Sequence, residues 1–127
     1  MKYEINLEND NDNIEIILIA DGSSYCPKIT WFIEDCSVID LSVWEEILKA
    51  MKSDHNEKKL VSDQHGGSWW EMEVDQPYFK LRFNIGTDCD DVKIENNLMI
   101  NDMIPIIEKI IEIYKNIIKQ KSLPSNQ

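Results

Sequence analysis

Apolar and polar residues alternate along several stretches of the chain, and the period changes from two to about three and a half at two places. Over Lys2–Glu8, Tyr3, Ile5 and Leu7 fall on one side of an extended backbone, and Lys2, Glu4, Asn6 and Glu8 on the other. That alternation predicts a half-buried strand. Turn chemistry follows in the NDNDN run at 9–13. A second strand is predicted over Asn13–Asp21, with Ile14, Ile16 and Leu18 on one face and Glu15, Ile17 and Ile19 on the other. Apolar residues on both faces suit a central strand or one covered on its second side. The loop GSSYCP at 22–27 leads to a third strand over Lys28–Asp35, with Ile29, Trp31 and Ile33 opposed to Thr30, Phe32 and Glu34.

The strongest two-residue period lies between Gly66 and Ile85. Trp70, Met72 and Val74 share one face of its first arm; Trp69, Glu71, Glu73 and Asp75 share the other. In the second arm Phe79, Leu81, Phe83 and Ile85 oppose Tyr78, Lys80, Arg82 and Asn84. A turn at Asp75–Tyr78 pairs Val74 with Phe79, Met72 with Leu81 and Trp70 with Phe83. The same register sets Glu73 opposite Lys80 and Glu71 opposite Arg82. Each such pair contributes roughly 0.2–1 kcal/mol, and a one-residue slip would turn every apolar group to the wrong face. Pro77 suits the turn because it has no N–H to give to the ladder. Shorter strands are predicted at Lys58–Asp63 and, on an edge, at Val92–Glu95, after the acidic turn GTDCDD at 86–91.

Two stretches have helical spacing. Over Asp40–Ser53, Leu41, Trp44, Ile47, Leu48 and Met51 form a stripe, with Ser42 and Glu45 placed as a capping box and Asp40 as a rival cap. Near the C-terminus Ile104, Ile107, Ile111, Tyr114 and Ile118 form another, widened by Ile110 and Ile117, with Asp102 as the N-cap and Pro105 in the first turn. Ile is a middling helix former, so this helix depends on docking. The tail SLPSNQ at 122–127 reads as disordered. The order of strands, helix, strands, helix predicts one α+β domain over residues 1–121. Its expected form is an antiparallel or mixed sheet of five to six strands with both helices packed on one face.

Composition narrows the functional classes. The 127 residues suit one domain with a core. The formal net charge is −11, from 24 acidic and 13 basic residues, and Arg82 is the one Arg. Such a surface repels phosphate backbones, so direct nucleic-acid binding is not expected, whereas a basic protein would be attracted. Acidity can also serve solubility alone. Three Cys, an odd number, do not make a disulfide framework and suit a reducing compartment. The N-terminal MKYEINLEND carries no apolar run, and no stretch approaches the roughly 20 apolar residues of a membrane span. A cytoplasmic protein that does not bind membranes is therefore expected.

Catalytic and metal chemistry finds little support. Cys26, Cys36, Cys89, His55 and His65 lack the paired short spacing of zinc ligands, so no metal or cofactor is expected. Cys89 sits among Asp88, Asp90 and Asp91, whose charge would blunt a thiolate. The acidic turn lacks the calcium-loop pattern, and His65-Gly66-Gly67 opens a strand where a phosphate loop would open a helix. A small-ligand or enzymatic site would need Ser23, Ser24, Tyr25, His65 and Asp88 to converge, which no spacing demands.

What remains is a surface. With both helices on one side of the sheet, the other side would carry Ile17, Ile19, Phe32 and Trp69 among Glu4, Glu15, Glu34, Glu71, Glu73 and Asp75. Apolar groups rimmed by charge are typical of interaction sites, and Trp is enriched among their hot spots. The leading expectation is a non-enzymatic acidic inhibitor of a basic, toxin-like or nuclease-like protein. In it Trp69 and Phe32 anchor, Ile17 and Ile19 lie on the same face, and Glu15, Glu34, Glu71 and Glu73 steer. Immunity proteins and anti-defence inhibitors share this general character, though no motif identifies a family. The alternative is a homodimer or larger homo-oligomer that buries the same face.

Overall fold

In the computed structural model the described residues are 2–8, 13–19, 28–33, 41–53, 59–65, 68–86 and 91–122, with backbone alone described at 59, 62–65, 68–69, 84–86, 91–93 and 121–122. They form seven strands and two helices: β1 Lys2–Glu8, β2 Asn13–Ile19, β3 Lys28–Ile33, α1 Leu41–Met51, β4 Lys59–His65, β5 Ser68–Asp75, β6 Tyr78–Gly86, β7 Asp91–Met99 and α2 Ile100–Ser122. The fold is α+β, and every ladder is antiparallel.

The expected single sheet of five to six strands is replaced by two sheets, ordered β1-β2-β3 and β4-β5-β6-β7. Each ladder joins strands that are neighbours in sequence. Alternation within a strand fixes hairpin partners but carries no information on whether the last strand of one meander joins the first of the next. The chain correspondingly divides into two compact units, residues 1–38 with 116–127 and residues 39–115.

In the first unit β2 is the central strand. Ile14, Ile16 and Leu18 are buried, opposite Ile33, Trp31 and Ile29 of β3 and Leu7, Ile5 and Tyr3 of β1. The other face carries Glu15, Ile17 and Ile19 of β2, all half-buried, which fits the two-sided apolar pattern read from this strand.

In the second unit the β5–β6 register is the one the alternation predicts: Val74 with Phe79, Met72 with Leu81, Trp70 with Phe83, Glu73 with Lys80 and Glu71 with Arg82. Trp70, Met72, Val74, Phe79 and Leu81 are all buried. Helix α1 meets this apolar face, with the Trp44 ring centroid 6.2 Å from that of Trp70 and 5.8 Å from that of Tyr114 on α2. Helix α1 begins at Leu41, which places Ser42 inside the helix and moves the cap position to Asp40, outside the described residues. Helix α2 begins at Ile100, two residues before the expected cap Asp102. Asp102 lies instead in the first turn, where a carboxylate still favours the positive end of the helix dipole. Pro105 consequently falls one turn further in.

The turn between β5 and β6 serves both helices. Its Gln76–Pro77 peptide is cis. Gln76 Nε2 lies 3.2, 3.2 and 3.3 Å from the carbonyls of Ala50, Met51 and Ser53 as their side-chain donor at the end of α1, and the Ala50 carbonyl also accepts from the Ser53 N–H at 3.3 Å. Ile100 N–H, at the start of α2, donates to the Pro77 carbonyl at 3.2 Å. Replacing Gln76 by Ala therefore removes the side-chain donor of the Met51 and Ser53 carbonyls and should cost about 1–2 kcal/mol in urea unfolding. A loss below ~0.3 kcal/mol would show that water replaces the amide without penalty.

Candidate functional site: the charged face of the four-stranded sheet

Residues directly opposite one another in a sheet point to the same side. The side of β5 that does not carry Trp70, Met72 and Val74 therefore gathers Glu71 with Arg82 and Glu95, and Glu73 with Lys80 and Asn97. Toward the turn it continues into Asp75, Tyr78 and Met99. Leu60 of β4 joins it opposite Glu73.

Arg82 stands at the centre, and each of its three guanidinium nitrogens donates to a different carboxylate. Nη2 donates to Glu73 Oε1 at 2.6 Å, Nε to Glu95 Oε1 at 2.8 Å and Nη1 to Glu71 Oε1 at 3.1 Å. The planar fork of an Arg suits this task where the point charge of a Lys would not. The hydrogen bond to Glu73 does most to hold the Arg82 pKa above its usual range, against the lowering effect of burial, with Glu95 and Glu71 adding to the rise. A raised pKa in the folded state stabilises at every pH below the usual guanidinium range. That stabilisation is lost only as pH rises through the folded value, so Arg82 stays charged at any working pH.

The ion pairs depart from the strand register in one respect. Glu73 lies opposite Lys80 but reaches diagonally to Arg82, while Lys80 Nζ turns to Asp75 at 3.3 Å. Diagonal neighbours in a sheet stand about 7–8 Å apart, within reach of long side chains. Three carboxylates around one guanidinium leave a formal −2, and the Asp75–Lys80 pair adds nothing to it. Glu71 and Glu73 are largely shielded beside Arg82, whereas the Glu95 side chain is 43% exposed. Among the groups on this face, Leu60, Tyr78 and Met99 are exposed at 55, 42 and 47%.

The residues expected to make one patch are divided between the two sheets. Glu15, Ile17, Ile19 and Phe32 do share a face of the three-stranded sheet: Glu15 lies opposite Phe32 and Asn6, and Ile17 opposite Thr30 and Glu4. All four are half-buried, and Glu15 Oε1 accepts from Asn6 Nδ2 at 3.1 Å. Glu71 and Glu73 belong to the four-stranded sheet, as does Trp69, whose backbone pairs with Gln64 and Asn84 and whose side chain lies outside the description. Glu34 lies outside the described residues, and so do Ser23, Ser24, Tyr25, Asp88, Cys26, Cys36, Cys89, His55 and the His65 side chain. Sequence reasoning missed Glu95, Leu60 and Met99. Glu95 already ended the expected strand, and the continuation of β7 past it would have supplied Met99.

Among the described residues no group of three or more His, Cys, Asp or Glu is arranged to hold a metal ion, and no helix is long and apolar enough to cross a membrane. A cavity of about 400 Å³ opens at the helix-capping turn, lined in part by Lys52, Ser53, Gln76 and Asn101. Its polar groups are largely committed, Gln76 to the α1 carbonyls and Lys52 to Glu108 at 3.6 Å.

Neither a protein family nor a curated protein matches the sequence. Among solved structures the chain is similar to a protein of unknown function from the DUF155 family of Prochlorococcus sp. NATL2A. The identity is 14%, over 84% of this chain and 90% of that chain, with a TM-score of 0.31. A likeness so distant bears on neither fold nor function.

Proposed function

We propose that this chain is a non-enzymatic acidic binding protein that neutralises a basic protein partner, toxin-like or nuclease-like, in the cytoplasm. The docking surface is the charged face of the four-stranded sheet. One observation carries the reading: Glu71, Glu73, Glu95 and Asp75 share a face with only Arg82 and Lys80 as described counter-charges, and Leu60, Tyr78 and Met99 are exposed beside them. Both helices are taken to cover the Trp70 side, since Trp44 of α1 lies against Trp70 and Tyr114 of α2 against Trp44. The charged side is then left to a partner.

In this reading Arg82 is an organiser. It fixes three carboxylates before a partner arrives, so less side-chain entropy is lost on binding. Glu95 and the net −2 draw in Lys or Arg, Tyr78 and Met99 supply apolar contact, and Trp69, two positions along β5 from Glu71, is proposed as a further anchor. Glu15, Ile17, Ile19 and Phe32 form a rival surface on the other sheet.

A Lys/Arg-rich peptide serves as a probe for titration at about 150 mM salt, where surface fields reach only about 8 Å. Combining Glu95→Lys with Asp75→Asn should weaken its binding about tenfold, a change of ~1.4 kcal/mol. Glu4→Lys, on the three-stranded sheet, should leave binding within about twofold. Equal losses from both would show that the peptide follows net charge and not this face.

A further inference from the structure

Strand β1 ends the three-stranded sheet, and among the described residues it has a strand neighbour on one side only. The apolar face of the sheet loses its cover there. Leu18 and Ile14 on β2 are 1 and 0% exposed, while Tyr3 and Leu7, directly opposite them on β1, are 41 and 38% exposed. An open edge whose apolar row continues into solvent is a template for another strand.

We propose that this edge pairs antiparallel with β1 of a second copy about a two-fold axis at Ile5, joining two three-stranded sheets into one of six strands. The sequence KYEINLE is complementary to itself in that register. Ile5 meets Ile5 of the second copy, Tyr3 meets Leu7, Glu4 meets Asn6 and Lys2 meets Glu8. Apolar positions meet apolar positions, and two Lys–Glu pairs close the ends, one on each side of the axis.

Neighbouring registers fail on the same grounds. A one-residue shift sets Tyr3 against Asn6 and mixes the faces. A two-residue shift in one direction places Glu4 opposite Glu4, and in the other direction Glu4 opposite Glu8. Like charges directly opposite are destabilising. The other edge of the sheet, β3, bears Lys28 as its one charged residue and offers no such pairing. Charges on β1 thus discourage strands of other sequence, as edge charges commonly do, while leaving one self-complementary arrangement. The contact is isologous, as a two-fold requires. It uses the opposite sheet from the proposed docking face, so either can hold without the other.

A seven-residue edge is a small interface of the transient kind, so association is read by sedimentation velocity up to a chain concentration on the order of 500 μM. The parent protein is expected to pass from monomer to dimer across a dilution series. Lys2→Glu alone and Glu8→Lys alone should each weaken association at least about fivefold, because like charges then face each other at both ends. Mixing those two single variants should restore a dimer, since the doubly acidic strand then meets the doubly basic one. The double variant Lys2→Glu with Glu8→Lys should also self-associate. These positions are exposed, and unchanged circular dichroism would establish that the variants are folded. A parent that stays monomeric throughout, or a dimer indifferent to the single reversals, would overturn the proposal.

Discussion

Replacing Trp44 by Ala should remove about 3–5 kcal/mol of stability, a large part of the 5–15 kcal/mol by which domains of this kind are held folded. The indole is fully buried on α1 and lies against Trp70 of β5 and Tyr114 of α2. From its place on α1 the ring thus meets a strand and the second helix. Truncation therefore loses the transfer free energy of the largest side chain and leaves a cavity whose walls belong to three elements, none of which can close it alone. Trp44→Phe keeps an aromatic group and a smaller void, and should lose only about 1–2 kcal/mol. Glu45→Ala, exposed one residue along the same helix, should change stability by less than ~0.5 kcal/mol. Urea unfolding followed by far-UV circular dichroism reads all three as shifts in midpoint at constant slope. A Trp44→Ala protein within ~1 kcal/mol of its parent would mean that the three elements do not depend on this ring.

The second large effect is electrostatic. In Arg82→Met the stem remains, but Glu71, Glu73 and Glu95 lose the guanidinium that all three contact. Leaving charged groups partly buried and facing one another should cost about 1–3 kcal/mol at pH 7, less than for a fully buried pair because solvent still reaches Glu95. The deficit should shrink at about 1 M salt, where a screening length of about 3 Å damps repulsion among the carboxylates. Raising pH toward 10 should leave it unchanged, because the parent guanidinium does not titrate there. Adding Glu73→Gln should recover part of the loss, a coupling that a double-mutant cycle measures. Equal deficits at low and high salt would assign the effect to packing of the Arg stem, not to charge.

Local features of the chain were legible from sequence; their partners at long range were not. The β5–β6 register followed because five consecutive cross-strand pairs agree in both polarity and charge, which leaves one alignment. The helix stripes followed for a similar reason: Trp44, Ile47 and Met51, like Ile107, Ile111 and Tyr114, recur at helical spacing and are buried. The β4–β5 hairpin was missed although His65 pairs with Ser68 across Gly66–Gly67, a two-residue connection typical of hairpins. In KLVSDQH the alternation is weak, and Leu60 lies on the charged face and is exposed. Strand β7 runs past Glu95 through Asn96 and Asn97, residues that favour turns. Asn96 is accommodated because its Nδ2 donates to the Leu81 carbonyl at 3.3 Å. The division into two sheets had no local signature, and it places Phe32 and Trp69 on different sheets. Glu71 and Glu73 were found by alternation. Their common engagement of Arg82 depends on the reach of side chains, which no spacing rule supplies.

The most direct test is an amide-resolved map of where a basic ligand lands. The parent protein would be titrated with the Lys/Arg-rich peptide and followed by ¹H–¹⁵N shift changes, with Arg82 Nε–H as an additional reporter at the centre of the carboxylate cluster. The expected result is a contiguous set of changes on β5, β6 and β7 around Glu71, Glu73, Tyr78, Arg82 and Glu95, with Glu15, Ile17 and Phe32 still. Changes centred on the three-stranded sheet, or spread evenly over every acidic position, would contradict it.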